Sequence, residues 1–134
     1  MPTKAKAIER ELMRGAGPTA VLQTLSKGEA YGYELVEALE KRTEGVLAMG
    51  QSTLYPLLYN LEAKGLIEAN WKDAPSGRAR KYYRLTSKGR RKLAEDVEAW
   101  NALAAAMRAI GVLRKAVLGD PAPARARAGA GGAS

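Results

Sequence analysis

Cysteine, histidine and phenylalanine are all absent from the 134 residues of this chain. Without cysteine there are no disulfides and no thiolate metal site, which suits a cytoplasmic protein. Without histidine the chain lacks the usual general base and the commonest transition-metal ligand. Its acidic residues form no recognisable acid/base motif, and most stand at helical spacing beside Lys or Arg. These absences argue against an enzyme and against a metal or other cofactor. No run of about eighteen apolar residues is present, so a membrane span is not expected. The opening MPTKAKAIERELMRG is charged and has no apolar h-region, unlike a secretory signal. The expected location is therefore the cytoplasm.

Hydrophobic residues make up 46% of the chain, enough for one compact domain in which Leu, Val, Ala, Tyr and two Trp replace Phe. The net charge of +8 is unevenly spread. From Lys72 to Lys92 stand nine basic residues (Lys72, Arg78, Arg80, Lys81, Arg84, Lys88, Arg90, Arg91 and Lys92) against one acid, Asp73. A scattered excess would read as a solvated cationic surface, but concentration on one segment points to a polyanion.

The segment GQSTLYPLLYNLEAKGLIEANWKDAPSGRARKYYRLT at 50–86 reads as a helix, a glycine stop and a hairpin with a basic tip. Before it, the spacing predicts a short helix over 5–14 ending at Gly15 and a second opening at Gly17-Pro18, where Val21, Leu22 and Leu25 form a buried stripe. A third helix is expected over 30–43, with Tyr31, Leu35 and Leu39 one turn apart, followed by a loop at 45–50 in which some of Val46, Leu47 and Met49 are expected to plug the core. The fourth helix, 53–64, is expected to start near Thr53, because Pro56 then falls where no backbone bond is needed, and to stop at Gly65. Strands are expected at 66–72 and 80–86, joined by DAPSGRA with its Pro and Gly. The whole is mainly α with a small antiparallel β-hairpin.

Projected at the helical period, Leu54, Leu57, Leu58 and Leu61 share one face of the fourth helix. The opposite face carries Ser52, Tyr55, Pro56, Tyr59, Asn60 and Ala63, with Thr53 and Glu62 at its margins. An ordinary surface helix would show Lys and Glu there. Tyr hydroxyls can bond phosphate or a base edge, Thr can touch a thymine methyl and Asn can take adenine. Either tyrosine could instead pack into the hairpin or a neighbouring helix, and Asn60 could simply face water. Phosphate contacts would come from Lys64, Arg78, Arg80 and Lys81, with Tyr33 at the start of the preceding helix. The arginine-rich tip could equally lie in an adjacent minor groove.

After Ser87 a long helix is expected to about Leu118. Leu93, Val97, Trp100, Leu103, Met107, Ile110 and Val117 recur mostly at three and four residues. Such a stripe is longer than one small domain can cover, which favours a dimer seam. Beyond Gly119 the sequence DPAPARARAGAGGAS has the composition of a disordered tail.

LMRG (12–15), AYGYEL (30–35), STLYP (52–56), LE (61–62), GLI (65–67), RKYYRLTSKG (80–89) and Trp100 resemble the PadR family of bacterial transcriptional regulators, in the family's order and spacing over about residues 8–103. The single C-terminal helix is similar to that of the family's shorter subgroup. The resemblance implies a winged helix-turn-helix homodimer, usually a repressor on a near-palindromic operator in double-stranded DNA. It also implies that N-terminal and C-terminal helices build the dimer, and that a small molecule releases DNA in many members. On this basis 1–16 is an N-terminal helix supporting the dimer, 17–87 the winged helix-turn-helix DNA-binding domain, 88–118 the dimerisation helix and 119–134 the tail. Where many members carry Arg before the LE pair, this chain has Asn60, which removes one phosphate or guanine contact.

The residues assigned to the dimer interface and effector site are Leu93, Val97, Trp100, Leu103, Met107 and Ile110. Two copies of Trp100 could sandwich a small aromatic effector, or Trp100 could pack against the neighbouring protomer and bind nothing. A rival from another class is a winged-helix protein-interaction module whose basic hairpin docks on an acidic partner.

Overall fold

The structure, a computed structural model, describes residues 7–114. Helix α1 spans Arg10–Leu25, strand β1 Ala30–Tyr31, helix α2 Gly32–Arg42 and helix α3 Gln51–Ala63. Strands β2 (Ile67–Asp73) and β3 (Ala79–Leu85) and helix α4 (Ser87–Ala109) complete the order. The chain divides into two compact units, one ending at Ala99 and the other beginning at Trp100.

The two helices expected at the N-terminus are one. Gly15, Gly17 and Pro18 all lie inside α1, since a single Pro removes one backbone bond and the flanking bonds carry the helix across. Gly17 is there for packing rather than for a break: a Cβ on it would stand 3.0 Å from Leu57 Cδ1 of α3. As expected, Val21, Leu22 and Leu25 are buried.

The helix expected over 30–43 begins two residues late, because Ala30 and Tyr31 are spent on a strand. They pair with Tyr83 and Tyr82, making β3 the centre of a three-stranded antiparallel sheet in the order β1-β3-β2. Glu34 then closes the first turn of α2 by accepting a hydrogen bond from the Tyr31 backbone N–H at 3.1 Å. In the loop that follows, Met49 is buried, while Val46 and Leu47 are half-buried.

Helix α3 starts at Gln51 rather than near Thr53. Gly50 is its N-cap, with the Leu54 N–H on the Gly50 carbonyl at 2.9 Å, and no side chain caps it. Pro56 consequently sits in the second turn, where it leaves the Ser52 carbonyl without its helical donor. Both residues are exposed, so solvent can replace the bond.

The hairpin register runs from Ile67↔Leu85 to Asp73↔Ala79. Its tip is closed by the Ala74 N–H on the Arg78 carbonyl at 2.7 Å and the Gly77 N–H on Ala74 at 2.8 Å. Alternation along RKYYRL gives each side chain a face. Lys81, Tyr83 and Leu85 look towards the helices, while Arg80, Tyr82 and Arg84 look away.

The outer face is knit by Arg84 on Glu68 at 2.6 Å and by an ion pair between Lys72 and Glu29. The Tyr31 and Tyr82 rings meet edge-on at 5.4 Å, and the Arg80 guanidinium covers Tyr31 at 4.4 Å.

Thr86 caps α4, its hydroxyl accepting from the Gly89 N–H at 2.9 Å and donating to the Gly65 carbonyl at 2.7 Å. A hydrogen bond from Thr19 to Asp96, 2.9 Å, ties α1 to α4, and Asp96 also takes Lys92 at 2.8 Å. The helix ends at Ala109, short of the expected 118. Gly111, at φ +90°, makes the turn: its N–H meets the Arg108 carbonyl at 3.1 Å, and the Val112 N–H meets Met107 at 2.8 Å. Val117 and the expected tail at 119–134 lie outside the described residues.

Leu22, Leu35, Leu54, Leu58, Ile67 and Tyr83 form the centre of the core. Tyr83 is 1% exposed, and burial, aided by the Glu62 charge, pushes its phenol up to about 12. Between the ordinary value of about 10 and this one, the folded state holds a proton that the unfolded chain releases. Stability should therefore fall as pH rises through that window. Denaturant unfolding of the protein and of Tyr83→Phe across the window checks this: the variant should lose less. Parallel curves would mean that the Tyr83 phenol contributes nothing to the alkaline loss.

Candidate nucleic-acid interface

A cleft of about 500 Å³ opens between the N-terminus of α2, the flank of α3 and the hairpin. Tyr33, Tyr55 and Tyr59 reach it from the helices; Arg78, Arg80 and Lys81 reach it from the wing. Six of the ten residues expected to touch DNA thus share one concavity, and none of its lining residues is acidic. Tyr33 and Tyr59 are exposed, at 55% and 60%.

Tyr55 is different. It is half-buried and packs against the core, its ring lying on Gly32 at the start of α2. A Cβ on Gly32 would come within 2.7 Å of Tyr55 Cζ, so the glycine of AYGYEL makes room for the tyrosine of STLYP. This ring holds α2 and α3 together, as the packing alternative anticipated.

Lys81 is likewise engaged. It faces Glu62 at 3.8 Å and lies 5.8 Å from the Tyr59 ring and 5.5 Å from the Tyr83 ring. It fastens the wing to α3 and is less free for phosphate than Arg78, which stands exposed at the tip.

Thr53, Asn60 and Lys64 occupy the other flank of α3. There they line a broader hollow of about 870 Å³ with Arg10, Arg14, Met13 and Leu57. Ser52 is exposed in the first turn of α3. The expected contacts are therefore split over two sides of one helix, with Ser52, Pro56 and Tyr59 between them.

Three aromatic residues of the cleft were not among the expected contacts: Tyr31, Trp71 and the core residue Tyr83. Trp71 pairs with Lys81 across the hairpin and is 65% exposed. Its signal was in the sequence, since the period of two from Ile67 through Ala69 puts Trp71 on the helix-facing side.

Of the residues assigned to the dimer, Leu93 is buried in this chain's own core and so is not free to form a seam. Val97, Trp100, Leu103 and Ile110 are exposed, at 40%, 40%, 47% and 74%, and Met107 is partly so. Among the described residues no helix is long and apolar enough to cross a membrane, and no group of acids is placed to hold a metal ion.

Helix α3 carried on a compact helical core, with a basic three-stranded wing beside it, defines a winged helix-turn-helix DNA-binding domain. The sequence model of the transcriptional regulator PadR-like family matches residues 21–95. A transcriptional regulator of Mycobacterium tuberculosis is 37% identical over 95 residues, covering 71% of this chain and 85% of that protein. A PadR family transcriptional regulator from Eggerthella lenta superposes with TM-score 0.65 at 37% identity, over 75% of this chain and 85% of that one. A PadR-like regulator from Bacillus cereus does so with TM-score 0.68 at 31% identity, over 75% and 95%. The chain belongs to the PadR-like family of transcriptional regulators. It is a DNA-binding transcription regulator, and the family is one of regulators rather than enzymes.

Proposed function

We propose that the protein is a cytoplasmic homodimeric repressor. In each protomer α3 enters the major groove of a near-palindromic operator, and the wing tip at 74–78 lies on the flanking backbone. The observation that carries this is the acid-free cleft where Tyr33, Tyr59 and Arg78 stand exposed beside the outward face of α3. Ser52, Thr53, Tyr59 and Asn60 read base edges, and Tyr33, Lys64, Arg78 and Arg80 hold phosphates. Tyr55 and Lys81 contribute by fixing α2, α3 and the wing as one platform. Val97, Trp100, Leu103, Met107 and Ile110 join the two copies, and a flat aromatic effector seated between the Trp100 rings shifts the half-site spacing.

Binding to duplex from the region upstream of the protein's own gene, compared with mixed-sequence duplex, tests the assignment of roles. Arg78→Ala should weaken binding to both alike and reduce the salt slope by about one. Tyr59→Ala and Asn60→Ala should each cost about tenfold more on the upstream duplex than on the mixed one. Equal losses on the two duplexes for all three variants would defeat the proposal.

A further inference from the structure

Trp71 is the largest exposed side chain of the wing and has no place among the base-reading or phosphate-holding residues. Its indole lies on the helix-facing side of β2, in line with buried Ile67 and half-buried Ala69 but beyond the edge of the core. There it is 65% exposed and lines the same cleft as Tyr33, Tyr59 and Arg78. An indole left in water at a basic concavity forgoes a large apolar burial unless something covers it.

The chemistry around it says what that cover is. The cleft brings aromatic rings and cations together and is lined by no carboxylate. A sugar–phosphate strand offers a partner for both, an apolar deoxyribose face beside each anion. An acidic protein surface supplies the anions without an apolar face fixed beside each one. The cross-strand neighbour of Trp71 is Lys81, whose charge is already shared with Glu62. The indole, not the ammonium, is thus the group this rung of the hairpin offers to a ligand, and its N–H is a donor suited to a phosphate oxygen.

We infer that Trp71 is a DNA contact: one strand of the duplex runs through the cleft between α3 and the wing, with a deoxyribose packed on the indole. The contact is independent of sequence, because every nucleotide presents the same sugar. It rests on the DNA-binding reading above and adds to it an apolar anchor beside the ionic ones.

The experiment uses the full chain and a mixed-sequence duplex of about three helical turns. Trp71→Ala should weaken binding about tenfold, as loss of a buried aromatic anchor does. Trp71→Phe should recover most of that loss. Neither should alter the salt slope, since no phosphate charge is lost, whereas Arg78→Ala should. The tryptophan emission change caused by saturating duplex should be present in the unsubstituted protein and absent from Trp71→Phe. Unfolding midpoints should stay together, because the side chain lies outside the core. Undiminished affinity of Trp71→Ala, with saturable and salt-dependent binding retained, overturns the indole contact and leaves the regulator reading standing. If the unsubstituted protein binds no duplex, that reading falls and the contact falls with it.

Discussion

Gly89→Ala should unfold this protein on the order of 5 °C below the unsubstituted chain, although alanine is the better helix former. Gly89 lies in the first turn of α4, buried against the Leu66 backbone. A Cβ on it would stand 3.0 Å from the Leu66 carbonyl carbon and closer still to its oxygen. That peptide cannot step aside. Its oxygen accepts from the Thr86 N–H at 3.1 Å, and the Leu66 N–H is held by the Leu61 carbonyl at 3.0 Å. Moving it would loosen the end of α3, the start of β2 and the cap of α4 at once.

The overpacking cost, about 2 kcal/mol or more, exceeds the helix-propensity gain of about 1 kcal/mol. The matched control is Gly15→Ala, in the exposed middle of α1, where a Cβ would meet nothing within 4 Å. It should raise stability by about 0.5–1 kcal/mol. Thermal unfolding of both variants decides the matter. Two stabilised proteins would show that space at Gly89 is not what demands glycine.

Replacing Trp100 and Leu103 together by Glu should turn the proposed dimer into a folded monomer. Both side chains are well exposed, at 40% and 47%, and neither belongs to the buried core of the first unit. Two carboxylates in an apolar seam would be desolvated without partners, a cost that no packing contact repays. The substituted chain should keep its helix content and sediment as one copy. It should also lose about 100-fold or more in affinity for a two-half-site duplex, because the second domain no longer binds at a high effective concentration.

Sedimentation and duplex titration of the same preparations give both readouts. Made in a Trp71→Phe background, the otherwise unsubstituted chain leaves Trp100 as the sole indole, so quenching by a flat aromatic compound reports an effector at the seam. A wild-type monomer, or a double variant that still dimerises, would remove α4 from the interface.

Local patterning carried most of the element order. The leucine repeat of α3, the alternation of RKYYRLT and the basic run from Lys72 to Lys92 are properties of neighbouring residues, and each led to the element found there. The errors cluster where one segment answers to a distant one. Gly17-Pro18 reads locally as a break, but Leu57 lies beside it in space and the glycine is a packing residue inside α1. Ala30 and Tyr31 fit a helical period and are nonetheless recruited as a third strand by Tyr82 and Tyr83, some fifty positions on. Leu93 belongs to the periodic stripe of α4 and is consumed by the core.

The candidate site divides in the same way. Residue type and helical period were enough to nominate Ser52, Thr53, Tyr59, Asn60 and Arg78, because exposure on a helix or a turn is a local matter. The period of two puts Trp71 on the helix-facing side of the hairpin, but no period could say that a cleft opens there, that Tyr55 spends its ring on Gly32, or that Lys81 is held by Glu62. Those depend on which surfaces are pressed together when α2, α3 and the hairpin share one core. Composition, spacing and the family resemblance therefore pointed to the kind of molecule and to most of its elements. Packing alone decided which aromatic and basic side chains are left free to meet DNA.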